Sequence, residues 1–144
     1  MTGGSLFGTR VIVYGIGSMG AIVTRLLVNK AARIVGAVGR SPSKVGRDLG
    51  EGAGLGTDLG VPVESDAEKV LSRGADIAVV CVSSYLATMH QHFATCLANG
   101  VNVVTIEEET VFPWTTAPTH ARSLDALAKD NNVTLAASGA QDLF

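Results

Sequence analysis

Short apolar runs alternate along this chain with stretches in which apolar positions recur every three or four residues. Residues 11–14 (Val-Ile-Val-Tyr) read as a first strand. Met19, Ile22, Val23, Leu26 and Leu27 then fall at helical spacing and predict a helix over 18–30. A second strand is expected over 34–38. Ser41-Pro42 places a capping residue before a proline at the first helical position, which predicts a short helix over 43–49. A glycine-rich loop follows, then a third strand over 61–63 and a helix from Asp66 to residue 72. Residues 76–82 (Asp-Ile-Ala-Val-Val-Cys-Val) are almost continuously apolar, the pattern of a strand buried on both faces. Helical spacing resumes over 85–98 and stops at Asn99-Gly100. A fifth strand is expected over 101–106, a helix over 117–129 and a sixth strand over 133–137.

This β-then-α order, with short buried strands, predicts an α/β chain. The expected architecture is a Rossmann-type doubly wound, mostly parallel sheet with helices on both faces. Residues 1–9 read as a flexible lead-in and residues 10–144 as the domain itself. The final stretch follows directly on a strand, and in open α/β sheets ligands sit outside the carboxyl ends of strands. The expectation is therefore the amino-terminal part of a longer two-domain enzyme.

Composition narrows the classes. With 144 residues, 47% of them apolar and 17% charged, the chain can bury the core of one domain. A net charge of −2 gives no basis for a nucleic-acid partner or an anionic membrane surface. No apolar run approaches the roughly 18 residues of a membrane span, and the first residues lack the apolar stretch of a secretion signal. A cytoplasmic location is the expectation. Cys81 lies in an apolar run and Cys96 in a helical pattern, so both read as buried thiols rather than a disulfide.

The first candidate chemistry lies in Gly15-Ile16-Gly17-Ser18-Met19-Gly20. The glycines follow a strand and open a helix inside a βαβ unit, the context in which this spacing binds a dinucleotide. Gly15 suits a tight turn, Gly17 lets the backbone approach a pyrophosphate, and Gly20 lets the helix pack closely on the strand. The helix amides and dipole then face the phosphates. An NAD site usually carries an acidic residue at the end of the second strand, to hold the ribose hydroxyls. Here that position reads Gly39-Arg40, followed by Ser41 and Lys44. A guanidinium stacks on adenine and pairs with a 2′-phosphate, and Ser41, the next helix end and Lys44 add donors and charge. The expected cofactor is NADP(H), with NAD(H) the alternative. Val82, Ser83 and Ser84, after the fourth strand, are expected near the ribose or nicotinamide.

The second is Glu107-Glu108-Glu109, directly after an apolar strand. Charge at a buried strand end is costly unless paired or used. In an extended chain Glu107 and Glu109 face one way and Glu108 the other. A carboxylate beside a nicotinamide holds ammonium or takes a proton from an amine, and partial burial tunes it for that work. Phe112, Pro113 and Trp114 follow and suit an apolar substrate wall. His90 and His92 are two apart on a helix and do not share a face. His120 opens a helix without an obvious partner. No metal-ligand cluster and no serine-histidine-acid arrangement is visible.

With the glycine motif, Val-Gly-Arg-Asp-Leu-Gly-Glu-Gly-Ala-Gly, Val-Cys-Val-Ser-Ser and the acidic stretch ending in Pro113-Trp114, the chain resembles the cofactor-binding part of a known family. These are the native amine dehydrogenases and 2,4-diaminopentanoate dehydrogenases, similar in fold to dihydrodipicolinate reductase. The resemblance implies an NAD(P)-dependent oxidoreductase acting on CH–NH2 groups by reversible reductive amination of a ketone or aldehyde with ammonia. It also implies a homodimer, a carboxy-terminal domain that builds much of the substrate pocket, and poor activity of this part alone. Aligned on Pro113-Trp114, the family's paired glutamates fall on Glu108 and Glu109. The implied catalytic carboxylate is Glu108, with Glu109 as the alternative, binding and deprotonating ammonium and then assisting loss of water from the carbinolamine. The alternative functions are an imine reductase like dihydrodipicolinate reductase and a non-catalytic NADP-sensing domain.

Overall fold

In the computed structural model, residues 4–138 are described. The elements run β1 (Arg10–Tyr14), α1 (Ser18–Asn29), β2 (Arg33–Val38), α2 (Leu49–Gly52), β3 (Val63–Glu64), α3 (Ala67–Leu71), β4 (Ile77–Val80), α4 (Leu86–Ala98) and β5 (Asn102–Thr105). A single 3-10 turn (Glu109–Val111), α5 (Pro113–Thr116), α6 (Pro118–Asp130) and β6 (Leu135–Ala137) complete them. The six strands form one sheet in the order β3-β2-β1-β4-β5-β6, and every adjacent pair is parallel. This is the doubly wound order, whose winding reverses between β1 and β4. The expected fold class is the one observed.

Alternation along the strands divides the core in two. Ile12 and Tyr14 of β1 and Ala78 and Val80 of β4 face α3, α4 and α6, where Leu86, Met89, Phe93 and Leu97 are wholly buried. Each such side chain contributes about 1.5–3 kcal/mol by leaving water. Val11 and Val13 face the other way, against Leu27 and Val23 of α1 and Leu49 of α2. On that side Ile77 and Val79 are only partly buried, and Met19, Ile22 and Leu26 of α1 are exposed.

Two local expectations are corrected. The helix expected over 43–49 is not formed. Residues 42–46 make turns instead, Gly46 takes a left-handed φ of +85°, and the helix is α2, further on. The reason is Asp48, whose carboxylate accepts from the amides of Gly50, Leu59 and Val61. It caps α2 and draws the glycine-rich loop back onto it, a longer-range effect that outweighs the Ser-Pro signal. The third strand lies two residues later than expected because Pro62, which cannot donate to a ladder, instead bridges Asp48 in the antiparallel sense. At the amino end, Leu6 is tied to α1 by its amide on the Lys30 carbonyl. The helix expected from Asp66 starts as the sequence indicates, with that carboxylate accepting from the Lys69 amide.

Candidate functional site

The winding reversal places the end of β1 beside the end of β4, and the glycine turn fills the gap. The Gly15 amide donates to Val38 of β2, and the Cys81 amide to Tyr14. Gly15 has a φ of +98°, and a Cβ there would lie 2.4 Å from the Cys81 carbonyl oxygen. A Cβ on Gly20 would lie 2.0 Å from the Gly15 carbonyl oxygen. Gly15 and Gly20 are therefore dictated by packing within the chain. Gly17 is different: a Cβ there meets nothing within 4 Å. It precedes α1, which has no side-chain cap and no acidic residue in its first turn. An open backbone position before uncapped helix amides is what a bound pyrophosphate requires, so this turn fits the group that the sequence suggests.

A cavity of about 370 Å³ runs from this turn to the end of β2. Ile16, Val38 and Val82 give it apolar walls, and Arg40, Ser41 and Lys44 line its other end. Arg40 is exposed. The Ser41 hydroxyl meets that of Ser43 at 2.8 Å. Lys44 Nζ donates to the Ile16 carbonyl, so this ammonium fastens the β2 loop to the glycine turn. The helix end expected to join Ser41 in holding a phosphate is absent, because residues 42–46 form turns. His92 of α4 lines the same cavity and meets the Tyr14 hydroxyl through Nδ1 at 2.8 Å. Sequence reading missed that pairing; the signal available was the tyrosine ending β1, a polar tip at a strand end facing the crevice. His120 does have a partner, the ring of His90, with centroids 4.7 Å apart.

A second hollow, of about 250 Å³, adjoins the first through Cys81 and Val82. Met19, Ser83, Ser84 and Glu108 also line it. The serines do not cap α4, whose cap residue is Tyr85.

The acidic stretch does not stay extended. Thr105 Oγ1 donates to the Val80 carbonyl and accepts from the Glu107 amide, which turns the chain out of the sheet. Glu107 is buried, 2% exposed, and its carboxylate accepts from the amides of Glu109 and Thr110 and from the Thr110 hydroxyl. Glu109 accepts from the Leu86 amide at 2.7 Å and thereby closes the start of α4. Glu108 is exposed, and among the described residues its carboxylate has no hydrogen-bond partner. The burial expected of the working carboxylate thus falls on its two neighbours.

Phe112 is largely exposed, while Pro113 and Trp114 line a separate cavity of about 500 Å³ with Leu124 and Leu135. None of the three lines the hollow that holds Glu108.

The pattern of the family described as dihydrodipicolinate reductase, N-terminus, matches residues 9–106, from before β1 to just past β5. The chain belongs to that family. As a dihydrodipicolinate reductase N-terminal domain it has relatives of two kinds. It is 28% identical to a 2,4-diaminopentanoate dehydrogenase of Acetoanaerobium sticklandii, over 90% of this chain and 37% of that protein. It is 33% identical to a 4-hydroxy-tetrahydrodipicolinate reductase of Parasynechococcus marenigrum, over 65% of this chain and 36% of that protein. Among solved structures, an amine dehydrogenase from Mycobacterium smegmatis matches with a TM-score of 0.91 and 48% identity, over 95% of this chain and 41% of that one. The chain thus spans about two fifths of the length of these relatives. Among the described residues no helix is long and apolar enough to cross a membrane.

Proposed function

We propose that residues 10–144 are the dinucleotide-binding domain of an NADP(H)-preferring amine dehydrogenase. The observation that carries this reading is the pairing of an open glycine position before an uncapped helix with one uncommitted carboxylate, Glu108, in adjoining hollows. The 48% identity to the mycobacterial amine dehydrogenase supports the reaction class.

The α1 amides and Gly17 would hold the pyrophosphate. Arg40 and Ser41 would hold a 2′-phosphate, and Ser83 and Ser84 would bond nearer the reacting end. The nicotinamide supplies the site that accepts or donates hydride. In the overall reaction an amine, NADP+ and water give a ketone or aldehyde, ammonium and NADPH. Glu108 would bind ammonium and take its proton in the aminating direction, then return a proton to the departing hydroxyl of the carbinolamine. Glu107 and Glu109 support it through the backbone: one sets the turn and the other ties that turn to α4. Phe112, Pro113 and Trp114 would act at the boundary with the rest of the protein, as part of its substrate wall. A homodimer and a cytoplasmic location complete the proposal.

The likeness to a 4-hydroxy-tetrahydrodipicolinate reductase favours a second reading, reduction of a preformed imine. One measurement tests the cofactor preference and another separates the two reactions. In the chain itself, NADPH is expected to bind more tightly than NADH, with Arg40→Ala removing most of the difference. Equal or tighter NADH binding overturns the NADP preference. In the full-length protein, Glu108→Ala is expected to abolish ketone amination. Imine reduction retained by Glu108→Ala selects the second reading.

A further inference from the structure

The cavity beside the glycine turn holds one polar pair that neither the pyrophosphate nor the 2′-phosphate uses. Tyr14, the last residue of β1, is 5% exposed, and its hydroxyl has one partner among the described residues, His92 Nδ1. The rings meet edge to face, with centroids 5.3 Å apart and planes at 67°. A buried phenol needs an acceptor for its proton. If the imidazole donated from Nδ1, the hydroxyl proton would be left without a protein acceptor and would turn to the cavity that Tyr14 also lines. We assign the hydroxyl as donor to Nδ1, which leaves the proton of the neutral ring on Nε2. Burial pushes the Tyr14 hydroxyl up to about 12, so it stays a phenol. Burial, and secondarily the charge of Arg40, holds His92 below the ordinary histidine value, so the ring stays neutral. Nε2 has no protein partner among the described residues, and the ring lines a cavity whose walls, Ile16, Val38 and Val82, suit a flat apolar group.

We propose that His92 Nε2–H reads a ring nitrogen of the cofactor's purine, and that Tyr14 is the positioning residue that fixes the tautomer presenting that donor. Purines offer acceptors at their ring edges, whereas the phosphate groups are met by the cationic end and the helix amides. This rests on the dinucleotide reading of the same crevice.

The test compares NADPH with reduced nicotinamide mononucleotide, which lacks the adenosine half, on the wild-type chain and three variants. Proton–nitrogen correlation spectra of the imidazoles report the tautomer. The wild-type His92 is expected to be protonated at Nε2, with that signal moving when NADPH is added. His92→Phe should weaken NADPH binding about tenfold, one good hydrogen bond, and leave the mononucleotide unchanged. His92→Gln, which keeps a donor, should recover part of the loss. Tyr14→Phe should leave the fold's thermal midpoint within a few degrees, mix the two His92 tautomers and weaken NADPH severalfold. Protonation of wild-type His92 at Nδ1 overturns the inference. So does NADPH binding to His92→Phe as tightly as to wild type. A wild type that binds NADPH with His92 unmoved overturns this inference alone, whereas a wild type that binds neither NADPH nor NADH overturns the reading of the crevice as well.

Discussion

Gly17 and Gly20 stand three residues apart in one turn, and their missing side chains answer to different demands. Gly20→Ala puts a methyl 2.0 Å from a backbone oxygen that cannot move away cheaply. Its expected cost is at least about 1–3 kcal/mol of stability, measured by denaturant unfolding. Gly17→Ala meets no atom of the described chain. It should cost under about 1 kcal/mol and weaken NADPH about tenfold or more, since the methyl would enter the space that the proposed pyrophosphate takes. The reverse pattern would mean that the turn serves packing alone. The three glutamates divide in the same way. Glu107→Ala strands two amides and a hydroxyl in a buried place and should cost about 2–3 kcal/mol. Glu107→Gln should keep part of that, because one amide oxygen can still accept. The tight turn at Gly15 and the close packing at Gly20 were legible because spacing and neighbouring elements set them. The glutamate roles were not, because three identical side chains in a row are sorted only by the turn that starts at Thr105, and an extended backbone was the natural assumption.

At the scale of elements, the strands and long helices were readable because they bury regular apolar stripes. The short pieces were not. α2 depends on Asp48 reaching across the loop to Leu59 and Val61, contacts that no window of local sequence contains. A different cross-element link holds the end of β3. Glu64 receives Arg73 in a two-pronged ion pair at 2.6 and 2.8 Å, with Lys69 at 3.2 Å. The Arg73 hydrogen bonds hold the Glu64 carboxyl well below its ordinary 4.5, at about 2, against the opposing effect of burial. A carboxyl lowered by folding stabilises the fold above its unfolded value and loses that contribution as pH falls toward its folded value. Wild type should therefore be more stable than Arg73→Ala at pH 7. The gap should close between about pH 4.5 and about pH 2, as followed by thermal unfolding across pH.

For the whole molecule, the doubly wound order matters more than any one strand, because it brings the ends of β1, β2, β4 and β5 to one edge. Gly17 and Arg40 line one hollow there, and Ser83 and Glu108 the one adjoining it. Alternating apolar runs were sufficient to anticipate this layout, since right-handed crossovers leave few other ways to wind such a chain. They were not sufficient to place Phe112, which is largely exposed, or Pro113 and Trp114, which line a separate cavity along α6 and β6. The exposed Met19, Ile22 and Leu26 beside the half-buried Ile77 and Val79 carry the same lesson. Periodicity shows that a stripe is apolar without showing what covers it.

The two thiols sit at different depths, and alkylation can use them as clocks. Cys96 is wholly buried, and burial pushes its thiol up to about 12. Cys81 is only partly covered and lines both hollows of the crevice, with burial raising its thiol as well. A maleimide or iodoacetamide should therefore mark Cys81 during local openings of the crevice. It should mark Cys96 only when the sheet comes apart, at a rate set by global stability. Saturating NADPH, by binding only the folded state, should slow both reactions, read by mass spectrometry of each labelled peptide in time. Without cofactor, one common rate for Cys81 and Cys96, after allowing for their thiol reactivities, would mean that the crevice never opens except when the whole domain does.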